Sequence, residues 1–180
     1  MKKNQINNLV EILGKFKDLK RSGWLMFNVN LPESDADHSF GVALLTTILA
    51  PHNLNKQKCM ELALIHDLAE IYAGDITPHD NISKEDKNKL EREGAIRIAK
   101  ELNWPELIGL AEEYNDKKTP EARFVSLIDK LETLMSAKYY TKNKRSAANF
   151  LDEFTEYAKT NASKYDDKEL LKIKEIINTF

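Results

Sequence analysis

The stretch Leu62-Ala63-Leu64-Ile65-His66-Asp67-Leu68-Ala69-Glu70 decides how the rest of this chain is read. Its apolar residues recur on helical rather than alternating spacing, and a polar, metal-competent doublet stands in their midst. Burying such side chains costs free energy unless something pairs with them. Neighbours on a helix splay by about 100°, yet two adjacent side chains can still reach one shared ligand. His66 offers an imidazole nitrogen and Asp67 a carboxylate oxygen, donors that suit borderline or hard divalent cations. Glu70 follows one helical turn later on the same face. The doublet reads as the centre of a metal-dependent enzyme.

Helical spacing continues outward in both directions, and no run alternates with period two for long enough to suggest a sheet, so the fold class is all-α. Ile6, Leu9, Val10, Leu13, Phe16 and Leu19 form one stripe, followed by a loop from Arg21 to Pro32. Ser34 or Asp35 caps a second helix carrying Val42, Leu45 and Leu49, which Pro51 stops. Asn55 caps a third, predicted to run through His66 to about Ala73, with Gly74 as its C-terminal stop. Apolar residues on nearly every side make this 55–73 helix the expected centre of the fold. Asp75 to Asn81 is turn-rich. Ser83 then begins a charged helix with Leu90, Ile98 and Leu102 inward, and Pro105 opens a short one with Leu107, Leu110 and Tyr114. Thr119-Pro120-Glu121 is an N-cap with proline at the first helical position. It launches the stripe Phe124, Leu127, Ile128, Leu131, Leu134 and Met135. Two last helices carry Phe150, Phe154 and Tyr157, then Leu170, Ile173, Ile176 and Ile177. They are expected to pack peripherally or against a partner, in a single domain over 1–180 whose core spans about 4–145.

Composition narrows the function classes. The chain has 180 residues, 42% hydrophobic and 31% charged, the profile of a globular domain. A chain this long buries roughly 70% of its unfolded surface, enough for a core without disulfides. With 27 Lys and Arg against 29 Asp and Glu, nothing favours a nucleic-acid backbone as partner, though a local basic patch suits a small phosphate ester. Cys59, the single cysteine, excludes an internal disulfide and zinc-ribbon spacing and reads as a small buried residue. No signal peptide or transmembrane run is apparent, so the expected location is cytoplasmic.

The doublet needs further donors. Of His38, His52, His66 and His79, His38 stands in the first turns of the second helix and gains weight because another helix already offers His66 and Asp67. Asp129, which interrupts the apolar stretch after Ile128, is the best candidate for a fourth ligand. His52, after Pro51, is expected to be exposed, and His79 lies in the loop after Asp75 where it could face a substrate.

His38, then His66-Asp67, then Asp129 matches the H…HD…D signature, and the chain resembles the HD-domain metal-dependent phosphohydrolases. The finer segments Leu19-Lys20-Arg21-Ser22-Gly23-Trp24, Pro32-Glu33-Ser34, Ala63 to Glu70, Gly74-Asp75-Ile76-Thr77-Pro78 and Asp80 to Glu85 resemble the small HD-domain 5′-deoxynucleotidases. The resemblance implies an all-helical HD domain with a mononuclear metal site, held by His38, His66, Asp67 and Asp129 as ligands. It implies removal of the 5′-phosphate from deoxyribonucleoside monophosphates, and a homodimer. By motif position Glu70 and Asp75 take catalytic or substrate-orienting roles, and Arg21 binds phosphate. Trp24 falls where an aromatic can crowd the sugar 2′ position.

The chemistry of the residues agrees. Two carboxylates neutralise a divalent ion while neutral histidines complete its shell, and a metal so held activates water and polarises a phosphoryl oxygen. The donor set suits manganese, iron, cobalt or zinc, with magnesium also admissible. A binuclear phosphodiesterase or di-iron oxygenase would need more histidines between the doublet and the last aspartate, where only His79 stands. An alarmone or nucleoside triphosphate substrate, and a non-catalytic nucleotide-binding module, remain the other readings; Glu70 and Asp75 beside the cage argue against the module.

Overall fold

The computed structural model describes residues 3–146 and 148–180. Among them are ten α-helices and no β-strand; extended chain pairs in a single antiparallel bridge between Lys20 and Ser34. The helices are α1 (Lys3–Asp18), α2 (Ser22–Met26), α3 (Asp35–Leu49), α4 (Lys56–Ile65), α5 (Glu70–Ala73), α6 (Lys84–Leu102), α7 (Glu106–Asp116), α8 (Pro120–Lys142), α9 (Leu151–Ala162) and α10 (Leu171–Ile177).

Local signals set most starts. The side chains of Asn55, Ser83 and Thr119 accept the N–H of Lys58, Asp86 and Ala122, and Pro120 takes the first turn of α8. At α3 the cap is Ser34 rather than Asp35: Ser34 and Asp37 bond each other's backbone N–H in a capping box. Helix α8 runs through the middle of the molecule, with Phe124, Val125, Leu127, Ile128, Leu131 and Leu134 buried against α3, α4, α7 and α9. Each such side chain contributes roughly 1.5–3 kcal/mol of transfer free energy. Leu170, Ile173 and Ile177 of the chain's end join this same core.

Four expectations are corrected. The predicted 55–73 helix is broken: α4 ends at Ile65, and residues 66–69 tighten into i→i+3 bonds before α5, with Leu68 N–H donating to Ile65 O at 3.0 Å and Glu70 N–H to Asp67 O at 2.9 Å. Helix α6 crosses at this point, and Gly94 leaves the space, since a Cβ there would stand 2.6 Å from Ala69 O. The predicted loop 21–32 contains α2, held by burial of Trp24. In α1 it is Ile12 and Phe16 that are buried, whereas Ile6, Val10 and Leu13 are exposed. Asn8 and Gln5 bond Glu101 O and Leu102 O at the end of α6, which turns their face of α1 inward. Leu90 faces outward, and Ile98 carries the inward face of α6.

Candidate metal centre

The capping box fixes the register of α3 and carries His38 inward, fully buried. His66 stands at the end of α4, and Asp129 is buried on α8. Their ligand atoms converge. His38 Nε2 lies 3.2 Å from His66 Nε2, 3.3 Å from Asp129 Oδ1 and 3.7 Å from Asp67 Oδ2; Asp67 Oδ2 is 3.2 Å from His66 Nε2. Donors each about 2.0–2.2 Å from one metal ion would stand roughly 3.0–3.5 Å apart; His38 meets that spacing with His66 and Asp129, and Asp67 meets it with His66 while standing wider of His38.

The ring nitrogens support the same fit. His66 Nδ1 lies 2.9 Å from Ala63 O, which can only accept, so the ring proton sits on Nδ1 and Nε2 keeps its lone pair. His38 Nδ1 lies 2.5 Å from Glu132 Oε2, which commits that proton in the same way. When no cation is bound, burial and Arg21 oppose charge on His38, but bonds to Asp129 and Glu132 push it up to about 9. Burial would raise Asp129 and Asp67. Lys130 and His38 nevertheless hold Asp129 well below the usual carboxylate range, while His66 and Arg21 depress Asp67. Both are carboxylates when the centre assembles. Asp129 Oδ2 also accepts from Tyr114 Oη at 3.0 Å and from Lys130 Nζ at 2.8 Å.

Beside the cage stands a second group, Asp35, Glu70 and Asp75, whose carboxylate oxygens lie within 4.8 Å of one another. Both carboxylate oxygens of Asp35 and Glu70 Oε2 are buried with no hydrogen-bond partner among the described residues. Burial, reinforced by Asp67, Asp75 and Asp35, pushes Glu70 well above its ordinary value, with Lys87 opposing from 4.0 Å. Burial, with Asp67 and Asp75, pushes Asp35 up to about 7 against Arg21 and His38. Asp75 Oδ2 accepts from Ser22 N–H at 2.5 Å.

A cavity of about 450 Å³ opens from these groups. Arg21 lines it, with its guanidinium 3.0 Å from Asp67 Oδ2; burial opposes its charge, but Asp67, Asp75 and Asp129 hold it firmly protonated. Farther out the wall is Met26, Phe27, Phe154 and Tyr157, with His79 bonded to Glu153 at 2.9 Å. Trp24 borders the cavity but is only 1% exposed: its ring packs on Tyr140, Phe150 and Phe154, and its Nε1–H donates to Glu33 at 2.8 Å. His52 is exposed, and Cys59 is buried in the core.

The structure thus brings His38, His66, Asp67, Asp129, Glu70, Asp75 and Arg21 to one end of the cavity. Sequence reasoning passed over Asp35 and Glu132. Each lies three residues from a candidate ligand on its own helix, the spacing that puts two side chains on one face.

Comparison with known proteins gives a consistent result. The family model described as "HD domain" matches residues 13–170. The chain is 37% identical over 153 residues to 5′-deoxynucleotidase hdd1 of Schizosaccharomyces pombe, covering 81% of this chain and 77% of that protein. It is 39% identical over 150 residues to 5′-deoxynucleotidase HDDC2 of Dictyostelium discoideum, covering 77% and 79%. Among solved structures, the PH0347 protein of Pyrococcus horikoshii superposes with a TM-score of 0.76 at 33% identity, over 97% of this chain and 96% of that one.

Proposed function

This chain belongs to the HD-domain family, and from that premise we propose that it hydrolyses deoxyribonucleoside 5′-monophosphates to the deoxyribonucleoside and phosphate. The observation that carries the reading is the convergence of two imidazole nitrogens and two carboxylates beside Arg21, at the buried end of a cavity large enough for a mononucleotide. Its similarity to two 5′-deoxynucleotidases supports the choice of substrate.

In this proposal His38, His66, Asp67 and Asp129 hold a divalent cation of the manganese, cobalt, iron, magnesium or zinc class. A cation held there would supply positive charge to the phosphoryl oxygens and lower the pKa of an attacking water. Arg21, kept protonated by the acids around it, binds the phosphate through its guanidinium fork. Asp75 takes a proton from the attacking water as the new P–O bond forms. Glu70, whose burial favours the protonated acid, gives its proton to the departing 5′-oxygen as the old bond breaks. The orphaned oxygens of Asp35 and Glu70 favour one variation, a second cation held by the acidic trio, and the metal-to-protein ratio at saturation separates the two.

Two further parts belong to the proposal. Phe40, Leu44 and Ile48 stand one helical turn apart on α3 and are 68%, 49% and 64% exposed, an apolar stripe suited to a twofold contact in a homodimer. No helix among the described residues is long and apolar enough to cross a membrane, and the proposal places the enzyme in the cytoplasm as a single HD domain. The functional test uses metal-depleted protein re-supplied with single metals. Phosphate release is then measured across ribo- and deoxyribonucleoside monophosphates. Release from dAMP ahead of AMP is expected. Pyrophosphate from an alarmone with no activity on any monophosphate would overturn the reading.

A further inference from the structure

One carboxylate in the interior has no place in the chemistry just described. Glu132 lies on α8 one turn beyond Asp129, buried, with Oε2 2.5 Å from His38 Nδ1. Its other oxygen accepts from Ser136 Oγ at 3.1 Å. That hydroxyl also stands 3.0 Å from Glu33 Oε2, and Glu33 Oε1 accepts from Trp24 Nε1–H at 2.8 Å. The backbone N–H of Glu33 donates to Tyr140 Oη at 3.1 Å, so Glu33 is itself anchored. A run of polar contacts, buried at His38 and partly buried beyond it, therefore joins the ring of His38 to α2.

A second observation concerns the neighbouring helix. Gly41 lies in the interior of α3, where glycine costs roughly 1 kcal/mol relative to alanine. A Cβ at Gly41 would stand 2.7 Å from Glu132 Oε1 and 2.9 Å from its Cγ. Those contacts are closer than real carbon atoms tolerate, so the bare backbone of α3 gives Glu132 the room to reach His38.

We infer that Glu132, seated against Gly41, is the positioning residue of the metal centre. It accepts the Nδ1 proton of His38, fixes the tautomer that leaves Nε2 free, and holds the ring plane toward the other ligands. Carboxylates that orient a ligating histidine in this way raise its basicity, and their loss typically weakens metal binding about 10–100-fold. Ser136 bonds the second oxygen, which restrains Glu132 from swinging away. The inference rests on His38 being a metal ligand, as proposed above.

The test titrates cobalt(II) into chelator-treated full-length protein, following the visible absorption bands and the dissociation constant. Thermal melts of the metal-free variants are run alongside. Glu132→Ala should bind cobalt about 10–100-fold more weakly with altered bands, and Glu132→Gln, which keeps an acceptor, should lose less. Gly41→Ala improves helix propensity, so its melting temperature should hold while its cobalt affinity falls. Combined with Glu132→Ala, it should cost nothing further. Cobalt affinity and bands of Glu132→Ala within twofold of wild type would overturn the inference. So would a Gly41→Ala loss that persists in the Glu132→Ala background. His38→Ala tests the underlying reading separately: should it bind cobalt as well as wild type, His38 is no ligand and the cage itself is wrong.

Discussion

The cavity is built in two ways. At its buried end His38, His66 and Asp129 project from α3, α4 and α8, three helices whose starts are set by side-chain caps and whose inner faces share one core. At its outer end the wall is the single-turn helix α2, the loop after Gly74 and one face of α9. There the closing contact is the half-exposed pair His79–Glu153. Groups at the buried end are mutually constrained over a few ångströms. At the outer end the rings of Phe27 and Phe154 pack on each other and on Phe150, and the loop after Gly74 meets α9 through His79 and Glu153. The proposed metal ligands thus sit among groups shared by several long helices and the proposed substrate contacts on α2, the loop after Gly74 and α9, so substitutions at the two ends should fail differently.

The largest expected effect lies at the buried end. Asp67→Ala removes a carboxylate 3.2 Å from His66 Nε2 and leaves Arg21 without its nearest acid. Cobalt binding should vanish at concentrations that saturate the wild type, and turnover should fall by more than the ~10²–10⁴-fold expected for losing a proton-transfer group. A variant that keeps both would break the contrast, because Asp67 would then be no more than a partner of Arg21. Glu70→Ala comes next. With Lys87 as its nearest cation, Glu70 should cost ~10²–10⁴-fold in turnover while metal in the histidine cage is retained. Near-normal turnover would mean that Glu70 is not the donor to the departing oxygen, and that role would have to pass to another acid such as Asp75.

A smaller, graded effect concerns pH. With no cation bound, His38 is pushed up to about 9 by Asp129 and Glu132, against burial and Arg21. A proton and a metal ion compete for the same Nε2, so affinity should be greatest above pH 9. It should fall as pH drops through that value, by up to about tenfold per unit for one competing proton. An affinity flat between pH 9 and pH 7 would mean that His38 is already neutral before the metal arrives.

The two ends also differ in how far the sequence betrays them. Cap residues such as Asn55 and Thr119 act on neighbours within one turn, so helix starts were legible. Helix α8 was legible too, because its apolar stripe is long. The break at His66 was not. It depends on Gly94, which lets α6 press against Ala69 from far along the chain. Helix α2 was hidden for a related reason: Trp24 is fixed by Tyr140, Phe150 and Phe154, none of which a local reading can supply. At the site, the metal-competent residues announced themselves by interrupting apolar runs. Asp35 reads in sequence only as a possible cap and Glu132 carries no local mark; Asp35 gains its surroundings from Glu70 and Asp75, and Glu132 from the packing of α3 on α8.

The smallest effect concerns sugar preference, and the burial of Trp24 sets how it must be measured. Trp24→Ala would remove a ring that is 1% exposed and packed on three aromatic neighbours, a loss of about 3–5 kcal/mol that could unfold α2 before any selectivity is read. Trp24→Phe keeps most of the packing and removes the Nε1–H bond to Glu33 at 2.8 Å, loosening the wall beside Arg21 without emptying it. A ribose 2′-hydroxyl pressed against an apolar wall loses water without gaining a partner, a cost of roughly 1–3 kcal/mol, or about 5- to 150-fold in kcat/KM. The ratio of kcat/KM for dAMP over AMP should therefore favour dAMP in the wild type and shrink in Trp24→Phe, with cobalt affinity unchanged. Arg21→Ala should instead raise KM for both nucleotides alike, since both carry the same phosphate. Should Trp24→Phe leave the ratio untouched while Phe27→Ala or Phe154→Ala collapses it, discrimination lies farther out along the cavity.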